Sequence, residues 1–357
     1  MQHPVKRILL VRTDRLGDVI LTLPLLSFLR STHPQAVLFM LLRHYTGEIV
    51  EGNNSVDHLL WYDEAGKEIP FPDMLAKIRR ERFDAVVVVH PTFRLSLLMW
   101  LARIPLRIGT GYRYYSFLFN RRVFEHRKDA KRHELEYNLQ LLRPLGFDPP
   151  ASLEHPEFGI EVQPKDLTSL GLALKHAGVR RSHNLVVVHP CSGGSAREWP
   201  LGNFGALGGL LADKRRMSVV VTGSRGEESA AQGVVRGTGG KAISLCGVLS
   251  LKELAALIQS ARLFISNSTG PLHLAVAVGT PVLAFYSQIT PMSARRWGPY
   301  TGRRRVLVPD RPAECRECTG RRGEPCPCME SITVQQAYAA ASDLLAPPSR
   351  SRRSAHG

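Results

Sequence analysis

Thr13-Asp14-Arg15-Leu16-Gly17-Asp18 lies near the start of the chain, and Ser266-Asn267-Ser268-Thr269-Gly270-Pro271 lies near its end; these two segments indicate the fold most directly. Each follows a short apolar run typical of a strand and precedes a run typical of a helix. A chain that turns from strand to helix through small residues exposes unpaired backbone N–H groups, where anionic ligands bind. Two such turns, in separate halves of the chain, predict two α/β domains that face each other across a cleft.

The same alternation of apolar runs and helical patterns continues through both halves. Apolar runs without polar alternation indicate strands buried on both faces of a parallel sheet, and strands that alternate with helices predict a doubly wound fold. In the first half we expect a helix over 17–31 and a last strand over 107–111. The segment 161–183 is polar and irregular, so we place the domain boundary within it. The predicted units are an N-terminal domain over 1–172, a C-terminal domain over 173–346 and a disordered basic tail over 347–357.

Length and composition are those of a globular protein. The 357 residues are too many for one typical domain, and 44% hydrophobic and 22% charged residues fit a soluble chain. No apolar run approaches the ~20 residues of a membrane span. Only four consecutive strong hydrophobes lie between Arg7 and Arg12, so we expect no signal peptide and a cytoplasmic location.

The chain is strongly basic, with 47 Lys and Arg against 31 Asp and Glu and a net charge of +16. Such an excess favours an anionic partner, namely nucleic acid, anionic lipid or a phosphorylated substrate, although a general bias of composition gives the same excess. The chain has no helix-turn-helix, zinc-finger or RNA-binding signature, and its aromatic content is 7%. We therefore expect no nucleic acid partner.

Four of the six cysteines lie close together, at Cys315, Cys318, Cys326 and Cys328. The first pair has the C-x-x-C spacing that suits tetrahedral zinc, and the second pair would complete a structural site. The second pair is C-x-C and the segment is rich in arginine, so reduced thiols in a loop are the alternative.

Asp18 follows a glycine at the start of the first helix. An acidic residue there is favoured as a helix cap or by the helix dipole, and Asp14 competes for the capping position. Because ligands bind beyond the carboxyl ends of strands in such sheets, the other interpretation of Asp18 is a general base at the edge of the cleft.

Two loops of the second half have the composition of a phosphate site. Ser192 and Gly193 end a strand with small residues, and Arg197 offers a planar fork to phosphate oxygens; a flexible loop with a surface arginine is the alternative. Gly223 follows a neighbouring strand, in a place where a nucleoside often lies.

The second helix start has two polar residues, Ser268 or Thr269, that we expect to cap the helix, followed by Gly270 and by a proline in the first turn. The free N–H groups and the helix dipole would then favour a diphosphate. His273, one turn further, either reaches the ligand or is a buried histidine that holds the loop.

Taken together, the segments 17–24, 133–139, 197–200 and 267–275 resemble glycosyltransferase family nine, the ADP-heptose:lipopolysaccharide heptosyltransferases, and segments 279–281 and 296–299 fit as well. The resemblance implies a GT-B fold, in which two Rossmann-like domains hold the active site between them. It also implies inverting transfer, with no metal or other cofactor required. The heptose would move from ADP-L-glycero-D-manno-heptose to a lipopolysaccharide inner-core acceptor, either Kdo-lipid A or a heptosylated core.

The resemblance assigns roles to residues. It implies that Asp18 is the catalytic base, that Arg197 binds the donor diphosphate, and that Thr269 and Gly270 form the diphosphate-binding helix terminus. We expect the donor nucleotide sugar at Ser192, Gly193, Arg197, Gly223, Ser268, Thr269, Gly270 and His273. We expect the anionic glycolipid acceptor, together with peripheral contact with the inner membrane, at Arg15, Gly17, Arg113, Arg121 and Arg122.

One departure from the family pattern leaves the donor open. Many relatives have an aspartate where this chain has Ser268, and a serine supplies no charge to the sugar hydroxyls. The alternatives are a GT-B transferase that uses another nucleotide sugar for cell-envelope glycan synthesis, and a non-catalytic nucleotide-sugar-binding protein.

Overall fold

Two parallel sheets, one from each half of the chain, form the framework of the computed structural model, which describes residues 5–179, 184–310 and 327–347. The strands in chain order are β1 Arg7–Val11, β2 Val37–Leu42, β3 His58–Trp61, β4 Asp63–Glu64, β5 Lys67–Glu68, β6 Ala85–Val88, β7 Leu106–Thr110, β8 Arg121–Val123, β9 Leu185–His189, β10 Ser218–Val221, β11 Ala242–Ser244, β12 Leu263–Asn267, β13 Val282–Phe285 and β14 Arg304–Leu307.

Helices connect the strands of both sheets. They are α1 Leu16–Ile20, α2 Leu23–Thr32, α3 His44–Val50, α4 Phe71–Arg80, α5 Phe93–Leu101, α6 Glu134–Gln140, α7 Pro164–His176, α8 Leu201–Arg215, α9 Glu228–Gly237, α10 Leu251–Ser260, α11 Gly270–Ala277, α12 Ala294–Trp297, α13 Pro327–Glu330 and α14 Val334–Leu345. Within the described ranges, no helix has both the length and the apolar character needed to cross a membrane.

The two sheets share one topology. The first has the strand order β3-β2-β1-β6-β7-β8 and the second the order β11-β10-β9-β12-β13-β14, and every pairing in both is parallel. This confirms the predicted pair of doubly wound sheets. The strand order reverses between β1 and β6 and again between β9 and β12. In such sheets, ligands bind in the crevice that opens beyond the strand ends at this reversal.

The central strands are buried on both faces. Leu10 of β1 packs in one apolar cluster and Leu9 in another, as expected when successive side chains of a covered strand point to opposite faces. The cluster that contains Leu10 also includes Val187 of β9 and Leu272 of α11, so one continuous apolar core joins the two halves.

Three local predictions were wrong. The predicted helix over 17–31 is two helices, because Pro24 has no N–H to donate to the preceding turn and its ring clashes with the carbonyl of Ile20. Strand 107–111 is not the last of its sheet, since β8 pairs in parallel with β7. The segment 161–183 is not irregular throughout, because α7 occupies much of it.

The helix α7 bears on the predicted domain boundary. Residues 172 and 173 both lie inside it, and its Leu170 and Leu174 belong to the same apolar core as Leu257 of α10. The division into 1–172 and 173–346 stays a prediction. Most of the predicted basic tail, residues 348–357, lies outside the described residues.

Candidate active site

The two helix starts singled out in the sequence meet in the structure. Helices α1 and α11 cross in backbone contact, with Gly17 against Gly270. A Cβ atom added to Gly17 would lie 3.2 Å from the Cα atom of Gly270 and 2.8 Å from Cδ2 of His273. Only a residue without a side chain allows this approach, so the first turn of α1 reaches the N-terminus of α11 because both contact positions are glycine.

Asp18 and Asp14 are held by one buried guanidinium. Arg12, directly after β1, is 2% exposed; its Nε donates to Oδ1 of Asp14 at 2.6 Å and its Nη2 donates to Oδ1 of Asp18. The N-cap position of α1 is Arg15, which makes no side-chain capping bond. Neither Asp14 nor Asp18 occupies that position, so the capping interpretation is wrong, although Asp18 does lie in the first turn of α1, where the helix dipole favours a carboxylate.

The surroundings of Asp18 suit a base near neutral pH. Burial raises the pKa of the Asp18 carboxyl to about 6; the Arg12 guanidinium opposes this shift, and the charges of Asp14 and Glu134 add to it. The Asp18 side chain keeps 19% of its surface exposed. The carboxylate is thus ionised at pH 7 and accessible, which are the two properties that a general base needs.

A second buried carboxylate joins the two halves. Glu134 of α6 is 3% exposed and accepts hydrogen bonds from Arg127 and from Arg296 of α12, whose Nε lies 2.9 Å from Oε2. Burial alone would raise the pKa of Glu134, but Arg127, Arg296 and Arg12 outweigh it and lower that pKa to about 2. His133 adds a cross-half hydrogen bond, from its Nε2 to the carbonyl of Gly298 at 2.8 Å.

A cavity of about 940 Å³ lies beside Asp14 in the first half. Its lining residues come from the loops after the strands and from the β4–β5 hairpin, and they are Thr13, Asp14, Arg15, Arg43, His44, Tyr45, Tyr62, Asp63, Glu64, Ala65, Gly66, Glu68, His90, Thr92 and Arg94. Its size and its mixture of charged and aromatic groups suit a polar ligand.

The structure separates the predicted acceptor residues. Arg15 lines the cavity, and Gly17 lies at the contact with α11. Arg113 is exposed after β7, and Arg121 and Arg122 are exposed on the edge strand β8. These three arginines do not line the cavity, so the predicted set occupies two places on the first half.

His90 is a site residue that sequence reasoning missed. It is the second residue after β6, and its Nδ1 lies 3.6 Å from Oδ2 of Asp14. Burial lowers the pKa of His90, while the charge of Asp14 opposes that shift. The signal was present, because Val89-His90-Pro91 ends an apolar run where a strand was predicted.

In the second half, the predicted phosphate loop follows β9. Gly193 and Gly194 have φ angles of +56° and +73°, a left-handed backbone that glycine adopts without strain. The N–H and the hydroxyl of Ser192 both donate to Oε1 of Glu198, at 2.6 and 2.7 Å. The Ser192 donors predicted to face a phosphate are thus engaged within the loop, and Glu198 is a second residue that sequence reasoning missed. Arg197 is buried beside it.

The N-terminus of α11 lies beside that loop. Thr269 occupies the N-cap position, as predicted, but its side chain makes no capping hydrogen bond. The hydroxyl oxygen of Ser195 lies 2.7 Å from the carbonyl oxygen of Ser192 and 3.2 Å from that of Ser268, so it bridges the two loops. Ser268 and Gly270 are partly exposed. A helix start without a side-chain cap can receive an anion.

His273 is buried one turn into α11. Burial lowers its pKa to about 3, so the imidazole is neutral at physiological pH. Its Nδ1 has no hydrogen-bond partner among the described residues. Gly223 lies after β10, where an added Cβ atom would come within 2.9 Å of Sγ of Cys246.

The described part of the chain contains no group of three or more His, Cys, Asp or Glu side chains placed to hold a metal ion. Of the four cysteines proposed for zinc, Cys315, Cys318 and Cys326 lie outside the described residues, whereas Cys328 is buried in the second half. The zinc site stays a prediction.

The sequence of this chain is similar to those of known heptosyltransferases. The family model for glycosyltransferase family 9 (heptosyltransferase) matches residues 73–324. Lipopolysaccharide heptosyltransferase 3 of Escherichia coli is 27% identical over 290 residues, which cover 79% of this chain and 83% of that protein.

Solved structures agree in fold. The glycosyl transferase family 9 from Veillonella parvula DSM 2008 superimposes with a TM-score of 0.81 at 24% identity, covering 97% of this chain and 98% of that one. The E. coli heptosyltransferase WaaC with ADP gives a TM-score of 0.70 at 19% identity, covering 95% and 99%. The predicted GT-B arrangement of two Rossmann-like domains is confirmed.

Proposed function

This chain belongs to glycosyltransferase family 9 and is therefore a glycosyltransferase, and we propose that it transfers a heptose to the inner core of lipopolysaccharide. The donor is ADP-L-glycero-D-manno-heptose, and the acceptor is Kdo-lipid A or a heptosylated core. Its E. coli relative is named as a lipopolysaccharide heptosyltransferase, and the solved WaaC heptosyltransferase was determined with ADP. Both support an ADP-linked heptose as the donor.

The observation that carries the proposal is the contact between Gly17 and Gly270. It joins the helix that bears Asp18 to the start of α11, the helix whose N-terminus has no side-chain cap. A carboxylate that can take a proton and a helix end that can receive a diphosphate are the two groups that metal-independent glycosyl transfer needs.

The proposed donor site uses α11 and the loop after β9. The diphosphate binds at the N–H groups that follow Ser268, and the two left-handed glycines, Gly193 and Gly194, let the loop backbone approach it. Arg197 adds positive charge at the same ends of the strands. These fixed charges and dipoles stabilise the leaving group where other transferases use a metal ion.

The chemical step follows from these positions. The acceptor hydroxyl gives its proton to the Asp18 carboxylate, and the acceptor oxygen bonds to the anomeric carbon of the heptose. The bond between that carbon and the diphosphate oxygen breaks, and ADP leaves with the electron pair. Attack opposite the leaving group inverts the anomeric centre.

The acceptor enters from the side of the cavity near Asp14. Arg15 and Arg43 line this cavity and suit the carboxylates or phosphates of an inner-core saccharide. We also propose that the protein works in the cytoplasm, in peripheral contact with the inner membrane, because such an acceptor is anchored in a bilayer.

A second candidate donor follows from one residue. Ser268 stands where many relatives have a charged aspartate, and this favours a transferase of the same fold that uses another nucleotide sugar for a cell-envelope glycan.

A donor panel separates the two candidates. Nucleotide release is measured with ADP-heptose and with ADP-, UDP- and GDP-hexoses, each with and without a defined lipid A core acceptor. We expect ADP release only when ADP-heptose and the acceptor are both present. Acceptor-dependent release from a hexose donor, without release from ADP-heptose, would contradict heptosyl transfer.

A further inference from the structure

Aromatic side chains are exposed on one region of the first half. Among the described residues, the exposed large aromatic side chains other than Tyr45, which lines the cavity, all lie between residues 93 and 124, and their exposed fractions range from 46% to 81%. They are Phe93, Trp100, Tyr112, Tyr114, Phe117 and Phe124. A concentration of exposed apolar surface marks an interaction site more often than chance.

These rings are held in a fixed arrangement. Phe93 stacks on Tyr114 with ring centroids 6.2 Å apart, and Tyr112 meets Phe124 edge to face at 5.5 Å. The loop after β7, which carries Tyr112 and Tyr114, is fixed by Ser116, whose hydroxyl donates to the carbonyl of Thr110 at 2.7 Å. Trp100 lies two turns after Phe93, so both belong to the same face of α5.

Basic side chains accompany the rings. Between residues 93 and 128, five exposed ones have no carboxylate within 4 Å in the described structure, namely Arg103, Arg113, Arg121, Arg122 and Lys128. The nearby acidic residues are already paired, Asp129 with Lys131 and Glu125 with Arg132. Arginines on an edge strand also prevent strand pairing between molecules, but that role does not explain the exposed rings.

We propose that this aromatic and basic surface docks on a lipid bilayer that carries anionic headgroups. Aromatic side chains concentrate at the boundary between headgroups and acyl chains, where a ring meets apolar and polar surroundings at once. Arginine and lysine side chains beside them are attracted to the negative surface potential of anionic lipid. Because exposed rings and basic side chains occur together, this surface fits an anionic membrane better than a purely apolar protein partner.

The position of this surface agrees with the proposed chemistry, and in that respect the inference rests on the proposed function. Thr92, which lines the cavity, directly precedes Phe93, and Arg113 lies close enough to His90 for its charge to lower the pKa of that imidazole. A glycolipid acceptor could therefore keep its acyl chains in the bilayer while its saccharide enters the cavity beside Asp14.

Vesicle co-sedimentation of the full chain tests the docking without donor or acceptor, so its result does not depend on which reaction the protein catalyses. We expect binding to phosphatidylcholine vesicles that contain phosphatidylglycerol, release by high salt, and no binding to phosphatidylcholine alone. Arg121→Gln/Arg122→Gln should lower the partition coefficient by at least tenfold, because each basic residue near the surface is worth roughly fivefold.

The aromatic side is tested by Tyr114→Ser/Phe117→Ser, which should also lower the partition coefficient by at least about tenfold. Matched controls are Leu172→Ser/Val248→Ser, which removes two exposed apolar side chains elsewhere, and Lys165→Gln/Lys175→Gln, which removes two exposed charges from α7. Both controls should bind like the unsubstituted chain, and all variants should keep its Tm.

Two outcomes would overturn the proposal. The first is an equal loss of binding in Arg121→Gln/Arg122→Gln and in Lys165→Gln/Lys175→Gln with no loss in the aromatic variant, since the net charge of +16 alone would then account for binding. The second is an unsubstituted chain that ignores anionic vesicles but forms a dimer, which Tyr114→Ser/Phe117→Ser converts to a monomer. The surface would then be an interface between two copies.

Discussion

Gly17 and Gly270 face each other without side chains between them: a Cβ atom on Gly270 would lie 3.2 Å from the backbone nitrogen of Gly17. The contact joins the first helix of one sheet to the helix after β12 of the other. It brings Asp18, the residue after Gly17, close to the N-terminus of α11.

Substitution of Gly17 should therefore damage catalysis and stability together. We expect Gly17→Ala to push α1 away from His273 and Gly270, to lower the free energy of unfolding by about 1–3 kcal/mol, and to lower kcat/KM by at least about tenfold. Gly171→Ala in α7 is the control, since nothing lies within 4 Å of its added Cβ. It should keep full activity and be neutral or stabilising. If Gly17→Ala and Gly171→Ala had the same free energy of unfolding and the same kcat/KM, the close contact between Gly17 and Gly270 would not matter for stability or catalysis.

Arg12 should set the pH at which Asp18 loses its proton. Its guanidinium lowers the pKa of Asp18 against the effect of burial. In Arg12→Met that pKa rises further above about 6, so the acid limb of the pH profile of kcat should move to higher pH. Arg12→Lys keeps the charge and should move the limb less. An acid limb that stays in place in Arg12→Met would exclude this role of Arg12.

Glu134 should contribute to the free energy of unfolding at neutral pH, and this contribution should disappear in acid. Its folded-state pKa of about 2 lies below its ordinary value of 4.5, so the unfolded chain binds more protons between these values. Ionised Glu134 therefore adds about 3 kcal/mol to the free energy of unfolding above pH 4.5, and this stabilisation is lost as the pH falls toward 2.

Denaturant unfolding across acid pH measures this contribution. Glu134→Gln leaves Arg127 and Arg296 without their carboxylate and should lose about 3–5 kcal/mol at pH 7. Its stability should then fall less steeply with acid than that of the unsubstituted chain. Glu154→Gln, at an exposed glutamate, should change neither quantity. Parallel pH curves for Glu134→Gln and the unsubstituted chain would refute the assignment.

His273 should bind the donor as a neutral imidazole. Because burial lowers its pKa to about 3, its charge does not change above pH 5. We expect His273→Phe to raise KM for the nucleotide sugar by about tenfold, the value of one lost hydrogen bond, while the acid limb of kcat stays in place. A shift of that limb would show that His273 titrates during turnover.

The fold was predictable because the sequences of the central strands are recognisable without any knowledge of their neighbours. Ile8 to Val11 and Ala85 to Val88 are continuous apolar runs, and runs of this kind form parallel strands covered on both faces. The edge strand β8 has no such signal, because Arg121 and Arg122 are exposed and the strand pairs with β7 alone. Pro24 marks the break after Ile20, since a proline has no N–H with which to continue the first helix.

The site was predictable only in part, for a related reason. Asp18 and Gly270 lie at helix starts that local sequence reveals. Local sequence does not reveal the buried partners of the site, because Arg296 and Glu134, which contact each other, are 162 residues apart in the chain. The burial of Arg12 depends likewise on the folded sheet. The motif 133–139 contributed to the family resemblance, but nothing in it shows that Glu134 would join two halves of the molecule.

The most direct measurement compares Asp18→Asn with Asp14→Asn, since Arg12 binds both carboxylates. With ADP-heptose and a lipid A core acceptor at pH 7.5, we expect Asp18→Asn to lower kcat by about a hundredfold or more. Its Kd for the nucleotide sugar should stay close to that of the unsubstituted chain, and Asp14→Asn should keep a much larger share of kcat. An Asp18→Asn variant that retains most of its turnover would contradict the account.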